Sequence, residues 1–154
     1  MRFRILLAVM FATVIAGGAA ARTAKHVNGY GSVMAAQSKT TDDAGKPQIT
    51  AKDLKQRLDR GDKITIIDAR HEVGGEMLKG ALHVPGDKLE DWAKNVDKDS
   101  VIVTYCTCPH DEAADAEVQK LQTMGFKNAY ALAGGLDAAK SAGFAVVSPA
   151  GKYI

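Results

Sequence analysis

The sequence predicts a single α/β domain, a parallel sheet flanked by helices on both faces. Three observations carry that expectation. Val101-Ile102-Val103-Thr104-Tyr105 is a β-branched run closed by an aromatic, the composition of a strand buried on both faces. Ile64-Thr65-Ile66-Ile67, ahead of Asp68, is a second such run. Segments with helical spacing separate the runs, and strands that alternate with helices pair in parallel through right-handed crossovers. At 154 residues the chain suits one domain with a proper core and is short for two.

The chain opens with a basic head, Met1-Arg2-Phe3-Arg4, then a largely apolar stretch from Ile5 to Ile15, then small residues ending in Ala19-Ala20-Ala21. That is the order of a secretory signal peptide, residues 1–21, cut before Arg22. The apolar stretch is short for a span of about 20 residues, so no stable membrane insertion is expected after cleavage. The expected location is the periplasm, where thiols meet an oxidising environment. Residues 22–47 contain Asn28-Gly29, Gly31-Ser32 and a polar tract from Ser38 to Pro47 without periodicity, and read as a tether or arm. His26 within it reads as a surface histidine. The domain is then residues 48–154.

In that domain Thr50 with Asp53 resembles a capping box, and Leu54 and Leu58 form one helical face before Gly61. The strand from Ile64 ends at Asp68. Residues 71–79, with Gly74 and Gly75, read as a loop or a broken helix. His83, between Leu82 and Val84, reads as a packed, hydrogen-bonded side chain. Leu89 and Trp92 are neighbours on one short helix. After the strand ending at Tyr105, Ala114, Val118, Leu121 and Met124 share a helical face, with Asp111 as its N-cap and Gly125 at its end. Ala129 to Leu132 is another strand, Gly134-Gly135 permits a tight turn, Leu136 to Ala142 is the last helix, and Ala145-Val146-Val147 closes the domain.

Composition excludes some function classes. Arg2 and Arg4 alone account for the formal net charge of +2, because residues 1–21 hold no acid. No basic stripe interleaved with aromatics exists, so nucleic acid is not an expected partner. The two cysteines, Cys106 and Cys108, stand together in the turn between a buried strand and a helix. Ligands and reacting groups gather at such strand ends in open α/β sheets. Backbone amides and the helix N-terminus there favour an anionic thiolate. Asp68 and Arg70, at the end of a neighbouring strand, either cap a turn or pair with each other, or else Arg70 borders the same region on that geometry.

Tyr105-Cys106 at a strand end before a short loop and a helix resembles the active-site loop of the rhodanese-like (sulfurtransferase) family. Ile64 to Arg70 resembles that family's strand ending in Asp-x-Arg. Gly80-Ala81-Leu82-His83-Val84-Pro85 resembles its Gly-Ala-x-x-Ile-Pro segment, and Gly125-Phe126 through Leu132-Ala133-Gly134-Gly135 its Gly-Phe…Leu-x-Gly-Gly stretch. The resemblance spans residues 48–147 in the family's order. It implies a single rhodanese-like domain, without cofactor or metal, that takes sulfane sulfur on Cys106 as a persulfide and passes it on. The implied partners are small-molecule or protein thiols and sulfane-sulfur donors, and the chain is expected to be a monomer. Amides of residues 107–112, other than that of Pro109, would cradle the sulfur, which makes Thr107, Pro109, His110, Asp111, Glu112 and Arg70 the candidate substrate-binding set.

Two departures from the family pattern matter. Typical active members carry Cys-x-x-x-x-Arg; here the fifth residue after Cys106 is Asp111, followed by Glu112. Two carboxylates would repel thiosulfate, so it is expected to be a poor donor. The usual Gly-His-Ile histidine ahead of Gly80-Ala81 and a tryptophan after Gly135 are also missing. The second departure is Cys108, which resembles the second thiol of a Cys-x-Cys-Pro loop variant. It either resolves a Cys106 persulfide as a strained disulfide or merely fills a small apolar site. Cys106, Cys108 and His110 lie close, but cysteines one residue apart without a fourth ligand do not make a zinc site. His110 reads as a rim residue that is positive at lower pH. Alternatives are a binding module on a rhodanese fold without catalysis, and a periplasmic dithiol–disulfide oxidoreductase using Cys106 and Cys108.

Overall fold

The computed structural model describes residues 40–41 and 45–148. The expected signal peptide, most of the expected arm and the last six residues lie outside the described residues. Among the described residues eight strands and four helices follow in chain order: β1 (Thr40–Thr41), β2 (Pro47–Ile49), α1 (Ala51–Asp59), β3 (Ile64–Asp68), β4 (Met77–Leu78), β5 (Leu82–His83), α2 (Leu89–Ala93), β6 (Val101–Tyr105), α3 (Glu112–Thr123), β7 (Ala129–Leu132), α4 (Gly135–Ser141) and β8 (Val146–Val147).

The main sheet runs β1-β2-β7-β6-β3-β5. Every pair from β2 to β5 is parallel, and only β1 joins antiparallel, Thr40 opposite Gln48. The α/β expectation therefore holds, and the two-residue alternation of a strand assigns the faces. From β6, Ile102 and the following Cys106 pack with α2 and α3 through Leu89, Ala93, Ala114, Val118 and Leu121. Val103 and Tyr105 pack on the opposite face with α1 and α4 through Ala51, Leu54, Leu136 and Ala139. The cysteine thus continues the strand's parity onto the α3 side. Thr104 between them is fully buried, and its hydroxyl donates to Ala114 O at 3.0 Å, which joins the strand to the first turn of α3.

Of the two expectations for residues 71–79, the loop holds as far as residue 76, and Met77–Leu78 then pairs antiparallel with Val146–Val147 as a separate two-stranded sheet. One expectation is corrected. The end of the segment expected to be an arm, residues 22–47, belongs to the sheet through Thr40–Thr41 and Pro47. Lys46 also reaches Asp115 on α3 at 2.7 Å.

Candidate active site

The loop from Cys106 to Asp111 leaves β6 and enters α3. Cys106 is fully buried and Cys108 half-buried, both as free thiols. Thr107, Pro109, His110 and Glu112 are exposed, whereas Asp111 is buried. The Cys108 N–H donates to Cys106 Sγ at 3.3 Å. Burial pushes the Cys106 thiol up to about 11; a hydrogen bond with the Cys108 thiol also raises it, and the N–H groups of Cys108 and Ala114 pull it back. The expectation that this turn favours a thiolate is therefore reversed for the closed protein, because lost hydration outweighs the amide contacts. The cradle is also narrower than residues 107–112. The N–H of Asp111 is turned to Cys108 O at 3.4 Å, while the amide of Ala114 acts on the sulfur from inside α3.

Asp111 stands at the N-cap position of α3, in left-handed backbone with φ 55°, yet its side chain makes no cap hydrogen bond. Its Oδ2 instead accepts from Gly134 N–H at 2.9 Å, across the turn before α4. The next residues of that turn grip the backbone of Cys106: Leu136 N–H donates to Cys106 O at 3.1 Å. Gly135 passes so close that a Cβ there would meet Cys106 O at 2.2 Å. Sequence reasoning read Gly134-Gly135 only as a tight turn. The dipeptide was the available signal, but nothing local says which backbone it must approach.

Arg70 is engaged elsewhere. Its Nε and Nη2 hold the two oxygens of buried Asp68 at 2.8 and 2.5 Å, and Nη2 also donates to Glu76 O at 2.8 Å. Tyr105 Oη donates to Asp68 Oδ2 at 2.7 Å and accepts from Leu78 N–H at 3.0 Å. His83, packed as expected, contacts Arg70 O through Nε2 at 2.7 Å. The guanidinium in this network neutralises a carboxylate with no exposure, and its pKa is raised chiefly by the hydrogen bond to Asp68. Of the two expectations for Arg70 the structure shows the pairing with Asp68, and through Glu76 O the side chain also ties β3 to the segment before β4.

Sequence reasoning also missed Glu117. It lies on α3 at 2% exposure, and neither carboxylate oxygen has a hydrogen-bond partner among the described residues. Burial pushes it up to about 8, Lys120 partly opposing. Among the described residues no group of three or more His, Cys, Asp and Glu is placed to hold a metal ion. None of the described helices is long and apolar enough to cross a membrane.

With this geometry in view, the comparisons with known proteins are specific. The family model described as the rhodanese-like domain matches residues 50–142. The chain belongs to the rhodanese-like domain family. The thiosulfate sulfurtransferase GlpE of Coxiella burnetii is 31% identical over 80 residues, which cover 51% of this chain and 73% of that protein. The rhodanese-like domain of the Anabaena sp. Alr3790 protein, solved by NMR, superimposes with a TM-score of 0.60 at 31% identity, covering 68% of this chain and 80% of that one. A thiosulfate sulfurtransferase from Pseudomonas aeruginosa superimposes at 0.58 with 24% identity, over 66% of this chain and 20% of its own, and shows the fold alone. In this rhodanese-like domain the loop after β6 begins at Cys106 and carries carboxylates at Asp111 and Glu112.

Proposed function

We propose that the chain is an exported sulfurtransferase or sulfur carrier that forms a persulfide on Cys106, with Cys108 as resolving thiol. The observation that carries the reading is the paired sulfur site itself: two free cysteines one residue apart, with Cys106 Sγ accepting the Cys108 N–H at 3.3 Å. In the first step the Cys106 sulfur attacks a sulfane donor; the new S–S bond forms as the donor's own bond to that sulfur breaks, and the donor remnant leaves with the thiol proton. In the second, Cys108 sulfur attacks the inner sulfur of the persulfide. The Cys106–Cys108 bond forms and the outer sulfur leaves as hydrogen sulfide, taking both hydrogens. An external two-electron thiol reductant restores the pair. Closing a disulfide across one intervening residue strains its geometry, so the bond is easily reduced.

Sulfide release from a sulfane donor, compared between the intact chain, Cys106→Ser and Cys108→Ser, tests this. Cys106→Ser is expected to abolish release, and Cys108→Ser to leave a persulfide that only an added thiol or cyanide discharges. Undiminished release from Cys106→Ser would refute the mechanism. Thiosulfate is expected to be turned over slowly, since Asp111 and Glu112 stand where an anion needs a cation; rapid thiosulfate turnover, comparable with that on a neutral persulfide donor, contradicts that argument. The contact between the two thiols also favours a second reading, dithiol–disulfide exchange with a partner protein, which predicts oxidation without sulfide.

The proposed compartment is the periplasm, on the order of the residues in the first 21 positions, and the proposed working form is a monomer acting on thiols and sulfane sulfur. Cell fractionation that finds the full-length chain uncleaved in the cytoplasm would overturn the export part alone.

A further inference from the structure

Cys106 and Asp111 begin and end the loop, and both are tied to the turn that opens α4. Gly134 N–H donates to Asp111 Oδ2 at 2.9 Å, and Leu136 N–H to Cys106 O at 3.1 Å. A Cβ on Gly135, between them, would lie 3.3 Å from Asp111 Oδ1 as well as against Cys106 O. Asp111 is 8% exposed and is the one non-glycine among the described residues with positive φ. Left-handed backbone costs free energy for a residue with a Cβ and persists only where the surroundings impose it; Asp and Asn tolerate it best. The backbone of Asp111 is held within its own loop and helix, by its N–H on Cys108 O at 3.4 Å and by Asp115 N–H on its O at 2.8 Å, while the hydrogen bond to its side chain comes from the exposed Gly134.

We infer that Asp111 is a positioning residue: its carboxylate, held by the Gly134 N–H, keeps the Cys106–Asp111 loop closed with the sulfur buried. An arginine at this position has no acceptor to offer Gly134. The substitution of a carboxylate for the family's usual cation therefore replaces attraction of an anionic donor with closure of the loop. Release of the Asp111 hydrogen bond exposes Cys106, so the state of this contact sets how much reactive thiol a donor meets. The functional consequence rests on Cys106 being the reacting thiol; the closure itself does not.

Two substitutions separate the side chain from the backbone. Asp111→Asn keeps an acceptor and tolerates left-handed φ, whereas Asp111→Gly relieves the backbone and removes the acceptor. The readout is the rate of iodoacetamide alkylation at Cys106, resolved from Cys108 by peptide mass spectrometry, from about pH 6 to about pH 10. Asp111→Asn is expected to match the native chain within about twofold. Asp111→Gly is expected to react about tenfold faster, with its midpoint moved to lower pH, because loss of a hydrogen bond to a charged group changes an opening equilibrium by about that factor. A rise below about threefold in Asp111→Gly, or Asp111→Asn behaving like Asp111→Gly, overturns the inference. A second measurement needs no variant. Gly134 is exposed, so slow hydrogen exchange of its amide in the native full chain is expected only if the bond holds, and exchange at the unprotected rate overturns the inference as well. Neither measurement reads sulfur transfer, so each can fail while the persulfide mechanism stands.

Discussion

At the scale of single residues, Glu117 is the most consequential departure from ordinary surface chemistry. Its pKa is raised to about 8 from 4.5 because burial removes the hydration of the charged form. Between those values the folded chain keeps a proton that the unfolded chain has released. Stability contributed by the neutral carboxyl is therefore full below about pH 4.5 and is lost as pH rises through 8. Glu117→Gln removes the titration, so its stability relative to the native chain should grow by about 4 kcal/mol from pH 4 to pH 9, measured by urea unfolding. A difference that stays constant over that range would show the carboxyl to be hydrated. An acid on a helix ordinarily faces solvent, but Glu117 lies three residues after Ala114 and four before Leu121, so helical spacing alone puts it on the apolar face. Asp68 is the contrasting case: equally buried, it is matched on both oxygens by Arg70 and Tyr105. Breaking such a pair costs more than a surface pair would, because a bare charge remains in the interior.

At the scale of elements, β6, the cysteine loop and α3 form one unit held against the turn before α4. The chemistry depends on the fit of that turn. Gly135→Ala places a Cβ 2.2 Å from Cys106 O at a backbone φ of 52°, a collision with main chain that only a shift of α4 or the loop can relieve. The expected result is destabilisation by at least about 2 kcal/mol in denaturant unfolding, together with faster alkylation of Cys106. Retained stability and retained protection of the thiol would mean that the loop moves freely here. The fully buried Thr104 hydroxyl donates to Ala114 O from within β6, fixing the first turn of α3, whose amide acts on the sulfur. The expected helix starts were legible at both ends of this unit. What Asp111 does there was not, since a residue that caps its own helix and one that bonds a distant amide look identical in sequence.

At the scale of the whole molecule, the segment ahead of β2 is part of the sheet edge and also touches α3 through Lys46 and Asp115, 2.7 Å apart. Lys46 is 40% exposed while Asp115 is 5% exposed, so water screens one partner only. Lys46→Ala should cost about 1 kcal/mol in thermal or urea unfolding, and less in high salt. A cost unchanged by salt would argue for packing by the lysine stem instead of charge. A parallel sheet with helices on both faces could be read from the chain because it depends on local periodicity, β-branched runs and apolar residues at helical spacing, whereas the order β2-β7-β6-β3-β5 came only from the fold. The β4–β8 pair could not be read, because two-residue strands show no period and their partners lie far apart in the chain. The apolar run in the sequence was likewise enough to put Cys106 in the turn at the end of a buried strand, and the structure then placed it on the face that α3 covers. Only the folded arrangement decided that its thiol is protonated, that Arg70 serves Asp68, and that Asp111 bonds Gly134. Each of those outcomes depends on distance and hydration between residues remote in the chain, and the strength of a charge or a hydrogen bond is set by what surrounds it in space.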